Sequence, residues 1–220
     1  MTPAPLVVLH ADDALLVLDK PAGLLSVPGR GPDKQDCLAS RAQAHYPDAR
    51  VVHRLDMATS GLMLMARGAG PLRTLGDAFA ARQVHKRYEA VVHGVPVPDA
   101  DADSTDGWSR IEAPLIVDWP NRPLQKVDAD SGLPSLTRWR TMPSNAAPGT
   151  TRVELEPVTG RSHQLRVHLR HIGHPILGDV FYAPPAVLAM APRLLLHAAH
   201  IAFAHPVTGE PMRFDSAPAF

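Results

Sequence analysis

The sequence predicts an α+β fold: a mixed, mostly antiparallel central sheet with flanking helices and loops. Short strand-like runs outnumber helix-like ones, and the two kinds alternate in no strict order, which argues against a doubly wound parallel sheet. At 45% hydrophobic residues, a chain of 220 can bury a substantial core. That length suits one large domain or two closely packed halves. We expect a single domain over residues 1–220.

The elements follow from local pattern. Leu6-Val7-Val8-Leu9 and Leu15-Leu16-Val17-Leu18 read as two strands around an Asp12-Asp13 turn. The run from Asp19 to Gly29 carries Pro21, Gly23, Pro28 and Gly29 and reads as a shaped structural turn. Gln35 to Tyr46 is a helix, with Asp33 or Asp36 near its start and Pro47 beyond its end. Leu62-Met63-Leu64-Met65 is an apolar strand. Pro71 to Arg82 is a second helix with Leu72, Leu75 and Phe79 on one face. His85 to His93 is a strand. Gly94 to Arg110 is acidic and poorly patterned, and reads as a flexible surface loop.

Farther on, Leu115-Ile116-Val117, Gln125-Lys126-Val127 and Leu136-Thr137-Arg138-Trp139 are short strands. Thr150 to Pro157 alternates, with Val153 and Leu155 facing inward. Ser162 to Ile172 is helical, sharing Leu165, Leu169 and Ile172 on a face and ending at Gly173. Leu194-Leu195-Leu196, Ile201-Ala202-Phe203-Ala204 and Met212-Arg213-Phe214 supply late strands.

Lys plus Arg and Asp plus Glu are equal at 22 each, so no basic excess points to a polyanion. Distribution matters more. Acids gather at Asp99, Asp101, Asp103 and Asp106, and bases at Arg82, Lys86 and Arg87 and at Arg161, Arg166 and Arg170, so one face can still be basic. The single cysteine, Cys37, excludes an intrachain disulfide and a thiolate metal cluster, which fits a reducing compartment. There is neither a basic-then-apolar leader nor an apolar run of membrane-spanning length. The expectation is a cytoplasmic monomer.

The chemistry centres on His53-Arg54-Leu55-Asp56-Met57-Ala58-Thr59-Ser60-Gly61-Leu62. Asp56 lies in a strand-to-strand connection, where a rigid sheet can hold a loop carboxylate in place, and Arg54 stands two residues before it. In isolation, Asp56 reads better as a residue capping its own turn. The long motif, however, resembles the signature loop of the RluA family of RNA pseudouridine synthases. The resemblance implies that Asp56 is the essential catalytic residue.

Other segments extend it. Gly160 to His168 resembles the family's third motif, implying that Arg166 pairs with the catalytic carboxylate and that Leu165 lines the base pocket. On pattern alone, Arg166 and Arg170 are the wet face of an amphipathic helix. His85 to Val92 resembles the family's lysine-arginine-tyrosine strand, implying that Tyr88 stacks on the target base; alone it reads as strand packing. Arg54 is expected at a phosphate or in base flipping, and Lys86, Arg87 and Arg161 at the RNA backbone. His174 to Asp179, Arg193 to Ala198 and His205 to Glu210 resemble structural segments. The resemblance implies the pseudouridine synthase fold and no cofactor or metal.

Asp118-Trp119-Pro120-Asn121-Arg122-Pro123-Leu124-Gln125-Lys126-Val127 resembles a segment of the RluA subgroup itself. That subgroup modifies uridine in the tRNA anticodon stem-loop and, in some members, a similar stem-loop of 23S rRNA. Asn121, Arg122 and Lys126 are expected to line the RNA surface. No N-terminal S4-type RNA-binding domain is expected. Two alternatives stand beside this reading. One is a catalytically inactive RNA-binding protein of the same fold. The other is a metal-dependent hydrolase using some of the twelve histidines, among them His168, His171 and His174.

Overall fold

A computed structural model of the chain describes residues 5–98, 107–143 and 147–220. In chain order its main elements are β1 (Val7–Ala11), β2 (Leu15–Lys20), α1 (Leu38–His45), β3 (Ala49–Val51), β4 (Ser60–Arg67), α2 (Ala69–Ala80), β5 (His85–His93), β6 (Ser109–Glu112), β7 (Leu115–Val117), β8 (Gln125–Val127), β9 (Leu136–Thr141), β10 (Thr150–Pro157), α3 (Gln164–His171), α4 (Pro185–Leu188), β11 (Leu196–Ala204) and β12 (Pro211–Asp215). Among the described strand registers, β4 with β11 is parallel and the others are antiparallel, as the α+β expectation requires. Two compact units form: Met1–Lys86 with His197–Phe220, and Arg87–Leu196.

In the first unit the strands run β1-β2-β4-β11, with β3 added to β4 and β12 to β11. β2 and β4 are buried almost throughout, which explains why both are near-continuous apolar runs without alternation. Asp12 forms the first hairpin turn, its Oδ1 accepting from the backbone N–H of Ala14 (2.7 Å) and Leu15 (2.9 Å). α2 closes one face: Leu75 is buried against Leu15, Val17, Leu62, Leu64, Ile201 and Phe203, with Leu72 and Phe79 beside it. That face matches the predicted one. The helix begins two residues earlier than predicted, with Pro71 still in its first turn.

α1 differs more. Pro32–Lys34 forms a 3-10 turn, so the helix starts only at Leu38. Its cap is Cys37: the backbone N–H of Ser40 donates to Cys37 Sγ (3.3 Å), and the Ser40 hydroxyl accepts from Cys37 N–H (3.1 Å). Asp36 instead pairs with Arg41 (2.6 Å).

In the second unit β5-β10-β9-β6 form an antiparallel ladder, and β7-β8 a separate hairpin. Val153 and Leu155 face inward as predicted, with Ala90, Val92 and Trp139 also buried. β6 was not foreseen; it starts inside the stretch expected to be loop, and the acid-rich part of that stretch lies outside the described residues. α3 starts two residues later than predicted because His163 adopts a left-handed conformation (φ 55°). Tyr182 packs with Leu115 and Val167 in a small satellite core against which Leu124 and Val127 lie, seating the β7-β8 hairpin on α3.

Candidate active site

In the first unit, Asp56 sits on the connection between β3 and β4, a loop with several anchors. The Ser26 hydroxyl donates to Leu55 O (2.7 Å) and accepts from Leu55 N–H (3.1 Å). Gly23 N–H donates to Met57 O (2.8 Å), and Thr59 N–H to Asp56 O (3.1 Å). Below it lies Lys20, 0% exposed. Its ammonium donates to Pro21 O (2.9 Å), Leu24 O (2.7 Å) and Met57 O (3.1 Å), using all three hydrogens. Burial pushes the Lys20 pKa down to about 8, while the charge of Asp56 acts in the opposite sense. The Asp19-to-Gly29 segment, expected to be a turn, is thus the cradle of the Asp56 loop. Sequence reasoning missed Lys20; its signal is a lone lysine closing the apolar strand Leu15–Lys20.

The loop's exit is held differently. Gly61 has φ +107° and runs so close to β11 that a Cβ there would collide with the Ala198 backbone. Beside it Ser60 bonds to His197 Nδ1 (2.9 Å). His197 Nε2 meets Ser216 O and Oγ (3.1 Å each), and the Ser216 hydroxyl donates to Asp19 Oδ2 (2.6 Å). A carbonyl only accepts, so Nε2 carries the hydrogen that meets Ser216 O, and Nδ1 is the nitrogen left to face the Ser60 hydroxyl. Asp19 and Lys20, consecutive residues of β2, therefore brace the Asp56 loop at both ends. Sequence reasoning read the segment holding His197 as structural, without direct chemistry.

His53 opens the motif. Its Nε2 accepts from Leu64 N–H (2.9 Å) and its ring stacks on Phe79 (4.7 Å). Burial, helped by Lys86, pushes its pKa down to about 3, so it is a neutral structural ring at physiological pH. Lys86 lies over the other aromatic partner, Phe79, at 5.4 Å; burial lowers its pKa. Arg54 is exposed.

In the second unit, Tyr88 is half-buried on β5 opposite Leu155. Leu165 is buried on α3. Arg166 is 2% exposed, so it is no part of a wet helix face; exposed Arg170 alone fits that description. The Arg166 guanidinium makes a two-point pair with Asp179, Nε to Oδ2 at 2.8 Å and Nη2 to Oδ1 at 2.6 Å. Phe181 and Tyr182 flank it at 5.2 and 5.1 Å. Asp179 Oδ1 also accepts from Phe181 and Tyr182 N–H. Asp179 was read as part of a structural turn; its bidentate partner was not foreseen.

The expected RNA-backbone cations are mostly accessible. Arg87 is exposed and pairs with Glu154 (3.3 Å), and Arg161 is exposed at the start of the turn into α3. Asn121, Arg122 and Lys126 are exposed on the β7-β8 hairpin. Asn121 donates to Asp118 (2.9 Å) and Lys126 pairs with Asp128 (3.3 Å). His168 spends both ring nitrogens on Thr137 Oγ1 (2.9 Å) and Ala113 O (3.0 Å). Among the described residues, no group of three or more His, Cys, Asp or Glu side chains is placed to hold a metal ion.

A loop carboxylate on a rigid cradle can serve as a nucleophile or a base. Comparison with known proteins narrows this. The profile of the RNA pseudouridylate synthase family matches residues 14–171. The dual-specificity RNA pseudouridine synthase RluA of Escherichia coli (strain K12) is 50% identical over 211 residues, covering 96% of this chain and 92% of that one. Its counterpart from Pasteurella multocida (strain Pm70) is 46% identical over 216 residues, covering 97% and 93%. Among solved structures, human RNA pseudouridylate synthase domain containing 1 superposes with a TM-score of 0.76 at 25% identity, covering 100% of this chain and 87% of that one. With the fold, the matched profile and these identities in agreement, the chain belongs to the RNA pseudouridylate synthase family and is an isomerase acting on RNA.

Proposed function

We propose that the substrate is a uridine in the tRNA anticodon stem-loop, with a similar stem-loop of 23S rRNA as a second target, and that Asp56, Tyr88 and Arg166 are the catalytic residues. The nucleotide leaves its stack, because neither sugar nor base edge is reachable inside a helix. The N-glycosidic bond breaks, the freed uracil turns, and a carbon–carbon bond to the same sugar forms, so nothing is gained or lost overall. Asp56 acts on the sugar or base, Tyr88 stacks on the uracil, and Arg166 is the cation of the set. Arg54, Leu165, Lys86, Arg87, Arg161, Asn121, Arg122 and Lys126 bind the RNA. Catalysis needs no cofactor in this reading, and the chain works as a cytoplasmic monomer.

The observation that carries the reading is the bracing of Asp56 by Lys20, Ser26 and the Ser60–His197 contact, a preorganisation that a turn-capping aspartate does not require. The dual-specificity name borne by the relatives supports two RNA targets. Pseudouridine mapping of total tRNA and rRNA from cells lacking the protein tests it, with Asp56→Asn as the complementing allele. We expect loss of the modification at one tRNA and one rRNA position, restored by wild type and not by Asp56→Asn. Restoration by Asp56→Asn would remove Asp56 from the catalytic set.

A further inference from the structure

The chain has three tryptophans, and they are not alike. Trp108 and Trp139 are 4% and 2% exposed, whereas Trp119 is 64% exposed. Tryptophan is strongly buried on average, so an indole left open on a rigid support asks for an explanation.

The support is rigid. Trp119 opens the 3-10 turn at the tip of the β7-β8 hairpin. Asp118 N–H donates to Leu124 O (2.9 Å), Asn121 N–H to Asp118 O (3.0 Å) and Leu124 N–H to Asn121 O (3.0 Å), closing the tip on itself. The strand leaving the tip is tied to the helix bearing Arg166: Gln125 N–H donates to the Tyr182 hydroxyl (2.9 Å), which bonds His163 Nδ1 (2.6 Å). One face of the indole carries the Arg122 guanidinium at 4.2 Å from the ring centre. With that cation in place the residue is still 64% exposed.

We propose that the open face of Trp119 is a stacking platform for an unpaired nucleobase of the RNA substrate, with Arg122 holding the ring and supplying a cation toward the adjoining phosphate. A flat aromatic with one face free, a guanidinium on the other and an amide nearby (Asn121) match a nucleotide's base face, phosphate and base edge. A protein partner fits less well, because Trp119 shares the tip with Asp118, Pro120, Asn121, Arg122 and Pro123, polar residues and prolines that add no large apolar side chain to the indole. The tip's charges also balance, Asp118 and Asp128 against Arg122 and Lys126. The grip is therefore stacking more than charge. The inference rests on the stem-loop substrate proposed above.

The test uses the full chain carrying Asp56→Asn, to hold RNA without turnover, and synthetic anticodon stem-loop RNA as the probe. Titration should quench the indole emission, which Trp119 dominates at its red edge because the other two rings are buried. Trp119→Ala should weaken binding by about 5- to 150-fold, the range of one base stack, with no change in salt slope, and Trp119→Phe should stay within about threefold of the parent. In an abasic series, one loop position should weaken the parent and add little to Trp119→Ala. In the otherwise wild-type enzyme, Trp119→Ala should raise KM and spare kcat. Bound RNA without quenching, unchanged affinity in Trp119→Ala, or abasic penalties identical in both backgrounds would each overturn the platform. If the parent fails to bind the anticodon stem-loop, the target assignment falls instead.

Discussion

Replacing Lys20 with methionine keeps the volume and removes the charge beneath Asp56. Three charge-assisted bonds to carbonyls disappear, each worth about 1.5–3 kcal/mol. Against this, a native pKa near 8 instead of the ordinary 10.5 means that holding the buried ammonium charged costs about 3 kcal/mol at neutral pH. The sign of the pH dependence follows from the direction of the displacement. The native state sheds this proton near pH 8, the unfolded chain only near 10.5. Between those values the unfolded state binds more protons, so the wild type gains stability as pH rises, by up to about 3 kcal/mol, and Lys20→Met lacks that gain. Turnover should move the other way in the wild type: above about pH 8 the neutral amine has two hydrogens for three carbonyls, and the Asp56 loop loosens. Urea unfolding of both proteins at pH 7 to 10, with kcat measured up to pH 9, separates the two trends. Parallel stability curves over that range would show that Lys20 titrates normally and that the cradle does not depend on its charge.

Three further outcomes are expected. Asp56→Asn should reduce pseudouridine formation by orders of magnitude while still binding stem-loop RNA, read by single-turnover assays and filter binding; normal turnover would rule out its catalytic role. Arg166→Ala should lower stability by about 3–5 kcal/mol in denaturant melts, because it leaves the buried Asp179 carboxylate uncompensated, whereas Arg166→Met with Asp179→Leu should recover most of it; equal losses in the two proteins would contradict the buried pair. At His197, Asn places its amide near the Nδ1 position and keeps the Ser60 contact, while Gln reaches the Nε2 position and keeps the Ser216 contact. Asn should therefore retain more kcat than Gln at similar KM; the reverse order would mean that the bond to the loop exit does not position Asp56.

Much of the fold was legible before any coordinates. β5 and β10 fall on their predicted residues because period-two alternation and apolar runs are local properties, set by which side chains face a sheet. The Asp56 loop was legible too, since its motif is contiguous. Boundaries failed where a neighbour outside the pattern intervened: the 3-10 turn at Pro32–Lys34 delayed α1, and the left-handed His163 delayed α3. What composition and spacing could not carry was the wiring. Lys20 reads as one residue of a structural turn until the Met57 carbonyl, 37 residues away, closes over it. Arg166 reads as a solvent-facing helix residue until Asp179 is folded beneath it, and Ser216 meets Asp19 across 197 residues. Such partners are chosen by burial, since a charge or hydroxyl removed from water must find a hydrogen bond wherever the chain brings one. Local pattern decided where the strands, the helices and the reactive loop lie, and chain closure alone decided which distant side chains hold that loop still.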